Sequence, residues 1–156
     1  MTAFIHPAIL FAGCALIVIF LPVKIGRWFP PIAASLAVLS VLTMPQGSFA
    51  TLHYLGMTLT LGRVDALSLV FAHVFAIQAV IGFIFAFHIT DRAQHVAALM
   101  YITGAFGSVF AADYPTLFIF WEMMSVSSTF LVWLRRVPAS TKAGFRYFLW
   151  LIPETL

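Results

Sequence analysis

Charge is scarce in this sequence. Asp, Glu, Lys and Arg together make up 8% of its 156 residues, against roughly a quarter in a soluble domain. That scarcity excludes an ordinary water-soluble globule, because a chain of this length could not clothe itself in polar surface. Cysteine is nearly absent: Cys14 stands alone, which excludes a disulfide within the chain. It reads as a small apolar residue inside a helix. Internal repeats, low-complexity tracts and any soluble domain are also lacking.

What is present is apolar. Such residues make up 63% of the chain, and mean hydropathy is +1.06. A chain like this needs lipid as its solvent. In lipid every backbone N–H and C=O must be paired internally, which leaves helices or a closed barrel. A barrel would show short alternating segments with one polar face. The apolar runs here are long and continuous, so the expected fold class is all-α: one membrane domain over residues 1–156, with five full spans and a partial sixth. The runs cover about Ala3–Val23, Ile25–Met44, Val64–His88, Gln94–Ala112 and Thr116–Leu134. A sixth segment starts near Ala139, reaches Leu151 and is cut by Pro153. Residues 45–62 differ. They open on the turn cluster Pro45-Gln46-Gly47-Ser48 and end with Leu and Thr alternating, which reads as extended structure, a short surface hairpin.

The net charge of +3 belongs to loops between apolar runs. That favours membrane orientation over nucleic-acid binding. Alternate loops divide the basic residues unequally. One set holds Lys24, Arg27, Arg92, Arg135, Arg136, Lys142 and Arg146, and the other holds Arg63 alone. Positive loops stay inside, so the N-terminus, residues 45–62 and Asp113 are expected outside.

Glu122 is the one acidic residue well inside an apolar run. A charge at a helix centre costs on the order of 2.5–3.5 kcal/mol on insertion scales, and intramembrane carboxylates mark proton or ion paths. Glu122 is therefore the candidate proton carrier. Phe118, Glu122, Ser125 and Thr129 fall on one helical stripe, with Ser127 and Ser128 nearby. These hydroxyls either hold water near the carboxyl or let helices approach closely. Gly104, Gly107 and Ser108 form a small-residue packing face in the fourth run. His73, inside the third run, is a candidate for a proton relay. His88 and His95 flank a connection with Asp91 and Arg92 and read as interfacial polar residues. No metal or haem is expected, since His73 has no partner at its depth. Asp65 and Arg63 read as a local ion pair worth ~0–1 kcal/mol. Lys142 and Arg146 read as anchors.

Several stretches together resemble a known family. They are Gly62-Arg63-Val64-Asp65-Ala66-Leu67-Ser68, His95-Val96-Ala97-Ala98-Leu99, the long Asp113-Tyr114-Pro115-Thr116-Leu117-Phe118-Ile119-Phe120-Trp121-Glu122-Met123-Met124-Ser125, and Ala143-Gly144-Phe145-Arg146-Tyr147-Phe148-Leu149. They look like the antiporter-like membrane subunits shared by Mrp-type sodium/proton antiporters and respiratory complex I, with the Mrp D-type subunit nearest. The likeness is good over about residues 60–150 and loose before that. It implies a bacterial cytoplasmic (inner) membrane, other membrane subunits as partners, and protons with or without sodium as the ions moved. The assembly could be a proton-translocating NADH:quinone oxidoreductase type, though the chain is not expected to be an enzyme by itself. It places the family's fifth-helix glutamate at Glu122. Family members are much longer, and their glutamate works with a lysine on a later helix, so the chain reads as the N-terminal part or a short form. The competing reading is an accessory or structural membrane subunit that transports nothing. A free-standing carrier and an electron-transfer protein rank below both.

Overall fold

The computed structural model describes residues 6–54 and 57–154. Seven helices and one hairpin follow in order: α1 (Pro7–Phe20), α2 (Val23–Gly26), α3 (Phe29–Leu42), β1 (Gly47–Tyr54), β2 (Met57–Val64), α4 (Ala66–Phe85), α5 (Arg92–Phe110), α6 (Tyr114–Trp133) and α7 (Pro138–Glu154). A 3-10 turn, Ala86–His88, extends α4. Prolines set several of the boundaries. Pro7 opens α1, Pro30 and Pro31 lie in the first turn of α3, and Pro115 lies in that of α6. Their missing N–H costs nothing there. Leu21, before Pro22, is extended and ends α1, as the crowding of a following proline ring demands. Residues 47–64 form an antiparallel pair, from Gly47 opposite Val64 to Tyr54 opposite Met57. The expected segment's tip at Leu55 and Gly56 lies outside the described residues, as do Ala3 to Ile5 of the first run.

The expectation of five full spans needs correction. Among the described residues, three helical stretches are long and apolar enough to cross a membrane: Val23–Leu42, Ala66–His88 and Tyr114–Trp133. With 14 residues, α1 rises only about 21 Å, short of a ~30 Å hydrocarbon core. With 19 residues, α5 rises about 28 Å, but its first turn carries Arg92, Gln94 and His95, which shortens the apolar part. The sixth segment is not cut at Pro153, because α7 runs on to Glu154. A proline in the last turn costs the helix a single hydrogen bond.

Side-chain contacts gather the helix ends into two groups. At one end sits the hairpin. The Asp113 carboxylate accepts from Thr60 N–H at 2.6 Å and from Thr116 N–H at 2.8 Å. Thus one side chain caps α6 and fastens β2 to it. Asp65 caps α4 in a reciprocal box with Ser68, while its contact with Arg63 is a loose 3.9 Å. At the other end, Arg92 Nη1 donates to the Ile19 carbonyl (2.8 Å), and Gln94 Nε2 donates to Leu134 O (3.1 Å). Trp28 meets Phe87 edge to face. Lys24, Arg27, Arg92, Arg135 and Arg136 all belong to this second end.

Between the ends, α1, α3, α4 and α5 share an apolar core. Phe11 stacks on Phe106 (5.5 Å) and on Phe83 (6.5 Å). Elsewhere small residues face inward and large ones outward. On α4, Ala72 is 0% exposed, whereas Leu67 is 68% and Ile81 63%. On α3, Ala33, Ala34 and Ala37 are buried, whereas Ile32, Leu36 and Leu39 are exposed.

Asp113 gives the first prediction. Burial works against its charge, but the N–H groups of Thr60 and Thr116 outweigh it and hold the carboxyl below the usual range. A carboxylate lowered in this way stabilises the fold above the unfolded-state pKa of ~3.9, and that stability is lost as pH falls through the lower folded-state value. Asp113→Asn is expected to destabilise the protein in detergent at pH 7 by on the order of 1–2 kcal/mol. The difference should close only as pH falls through the lowered folded-state value, where both side chains become neutral. Thermal unfolding across that pH range checks it, and equal midpoints at pH 7 would count against the tie.

Candidate functional site

Glu122 lies near the middle of α6, a helix that starts at the Asp113 cap and packs along α5. The close approach of the two helices is set by glycine. A Cβ on Gly104 would stand 2.8 Å from the Phe120 carbonyl oxygen and 3.0 Å from Met124 Cβ, and one on Gly107 would overlap the Phe120 ring. The face of α6 that meets α5 is therefore the one bearing Phe120 and Met124. Beside this seam the helices part and leave an open cleft of about 900 Å³. Val96 and Met100 of α5 and Met123, Val126 and Phe130 of α6 line its walls, and Ile19 of α1 closes its floor.

The cleft has a polar residue at each end. Glu122 stands at the upper limit, while Asp91, Arg92 and Leu134 mark the lower one. Along α6 this is about 18 Å at ~1.5 Å per residue. Glu122 is half-buried, and its Oε1 is shut off from solvent with no hydrogen-bond partner. Buried polar atoms are satisfied in the great majority of cases, so an orphaned one calls for a reason. The carboxyl can take a proton at this oxygen, or accept a bond from water or from a group not in this chain.

The supporting hydroxyls fall elsewhere than the stripe suggested. Ser125 and Thr129 are buried but do not line the cleft. Thr129 Oγ1 donates back to the Ser125 carbonyl (3.1 Å), as does Ser128 Oγ (2.7 Å), which also stands 3.2 Å from Tyr147 Oη of α7. Helical Ser and Thr commonly turn back in this way. Ser127 is the α6 hydroxyl residue that shares the cleft with Glu122. His73 sits on α4 with Nδ1–H donating to Leu69 O at 2.6 Å, and it does not line the cleft. His88 Nδ1 contacts Phe85 O at 2.8 Å, and buried His95 Nε2 contacts Ile89 O at 2.9 Å. Each of the two is bound to a nearby carbonyl of its own connection.

The lower end carries residues that sequence reasoning passed over. Asp91 caps α5 by accepting from Ala93 N–H (3.0 Å) and also pairs with Arg136 at 3.0 Å. Arg136 has φ 55°, the one positive-φ residue other than glycine among the described residues. That left-handed conformation costs roughly 1–2 kcal/mol for a residue with a Cβ. It ends α6 and brings the guanidinium over to Asp91. The signal was the short connection between α5 and α6: in an antiparallel pair, residues equidistant from the turn meet, which puts residue 91 beside 136. A scan against protein-family models and a search of curated proteins return no match for this chain.

Proposed function

We propose that this chain is an integral membrane protein in which Glu122 takes up and releases protons, as part of an antiporter-like subunit working within a larger assembly. The observation that carries the reading is the Glu122 carboxyl itself, half-buried, with one oxygen unbonded, at one end of a cleft whose other end is lined by Asp91 and Arg92.

The membrane part of the proposal rests on three apolar stretches of sufficient length and on the inversion of side-chain size. Alanine inside and Ile, Leu, Val and Phe outside is how helices pack when lipid is the solvent. In water such outward faces would form apolar patches far beyond a few hundred Å². The proposal includes an external N-terminus and has α1 and α5 reach across by local thinning of the bilayer, since each is shorter than the hydrocarbon core. The seven-to-one division of basic residues then puts the cleft's lower end at the cytoplasmic face. The resemblance to Mrp D-type and complex I subunits supplies the rest: a bacterial cytoplasmic membrane, partner membrane subunits, and protons exchanged with or without sodium.

The experiment is proton/cation exchange in vesicles bearing the complete assembly, with wild-type and Glu122→Gln chains compared. A second reading, an accessory subunit that moves nothing, draws on one observation. Arg92, at the far end, is the one cation among the described residues lining the cleft, so among them no basic side chain lines the cleft beside Glu122. Full exchange by the Gln variant would favour that second reading.

A further inference from the structure

The cleft beside Glu122 is long, apolar along its walls, open to one side and cationic at its lower end. Asp91 does not cancel that end, because Arg136 pairs with it at 3.0 Å. Arg92 remains. It is exposed and spends Nη1 on the Ile19 carbonyl, which leaves further guanidinium N–H groups for an anion. The volume of about 900 Å³ lies in the range of small-molecule sites, roughly 300–1,000 Å³. A flexible chain fits, and Met100 and Met123 give walls that adapt to one.

We infer that the cleft holds an anionic phospholipid, with one acyl chain between α5 and α6 reaching Glu122 and the phosphate on Arg92. The inference rests on the membrane reading above and adds a regulator to it. While the tail is seated, water from the basic end reaches the Glu122 carboxyl more slowly, so lipid occupancy sets its rate of proton exchange. The source is the bilayer leaflet at the basic end, where anionic headgroups and Arg92 meet at one depth.

The test uses the full chain with a fluorophore on Val126→Cys, with Cys14→Ala to leave a single thiol. The protein is placed in phosphatidylcholine vesicles containing increasing amounts of brominated phosphatidylglycerol or brominated phosphatidylcholine. Half-quenching is expected at an anionic-lipid fraction about tenfold lower than for the zwitterionic lipid, the size of one charge-assisted contact. Arg92→Gln should abolish the preference and Arg92→Lys should keep most of it. Arg63→Gln, at the other end, should leave it intact. Equal quenching by both lipids overturns the inference, as does a preference that survives Arg92→Gln. So does a label that neither lipid quenches. A chain that fails to float with vesicles overturns the membrane reading, and this inference with it. A chain that floats without lipid preference overturns this inference alone.

Discussion

Glu122→Gln is expected to reduce proton-coupled exchange at least about tenfold, to near background, while leaving the fold as stable as before or slightly more so. The two halves of this expectation have separate causes. Glutamine matches glutamate in size but cannot cycle a proton, so a path that runs through the carboxyl stops. Stability is spared because Oε1 makes no hydrogen bond that could be lost, and because removing a charge from an apolar setting relieves its desolvation. A glutamate kept for packing would behave in the opposite way, losing stability on substitution while exchange continued. Measuring exchange and the unfolding midpoint on the same preparations separates the two roles, with midpoints expected to agree within about 0.5 kcal/mol.

Gly104→Ala and Gly107→Ala are expected to destabilise the protein by roughly 1–3 kcal/mol each, the usual cost of overpacking. Alanine is the better helix former by about 1 kcal/mol, so a loss at these sites must come from contact across the helix pair. At Gly104 the obstacle is the backbone oxygen of Phe120 at 2.8 Å, which moves only if α6 moves. At Gly107 the obstacle is the Phe120 ring, which must turn. Gly82 is the control, since a Cβ there meets nothing within 4 Å. Gly82→Ala should be neutral or stabilising by up to about 1 kcal/mol. Unfolding midpoints in detergent give the sign at each position. Stabilisation at all three glycines would show that α5 and α6 are not in close contact. Because the same seam holds α6 in place beside the cleft, Gly104→Ala should also weaken exchange.

Much of the helical layout was legible because local chemistry marks it. Prolines 7, 30, 31 and 115 open helices, and Asp65, Asp91 and Asp113 cap them. The turn cluster Pro45–Ser48 marks the start of the hairpin, with Gly47 and Ser48 already in β1. Span length was less legible, since an apolar run says nothing of where its helix starts. The first apolar run starts at Ala3, yet α1 opens at Pro7, and the polar first turn of α5 trims its apolar part. The stripe through Glu122 correctly placed Ser125 and Thr129 on one face of α6. It could not say which neighbour that face meets, and Gly104 and Gly107 of α5 draw in Phe120 and Met124 instead. That rotation puts Ser127, not Ser125 or Thr129, in the cleft. The backbone conformation of Arg136 was not legible for another reason. Its left-handed backbone has no residue signal, because glycine or asparagine is the usual choice there.

The central claim concerns one carboxyl, so the most direct test is chemical modification of that carboxyl. A hydrophobic carbodiimide partitions into apolar surroundings and captures a carboxyl there as it takes up a proton, and peptide mapping by mass spectrometry locates the adduct. In the membrane-embedded chain at neutral pH, the adduct is expected on Glu122, with Asp65, Asp91 and Asp113 spared because their oxygens are engaged by N–H groups. An unmodified Glu122, or an adduct spread evenly over Asp65, Asp91, Asp113 and Glu122, would contradict the account.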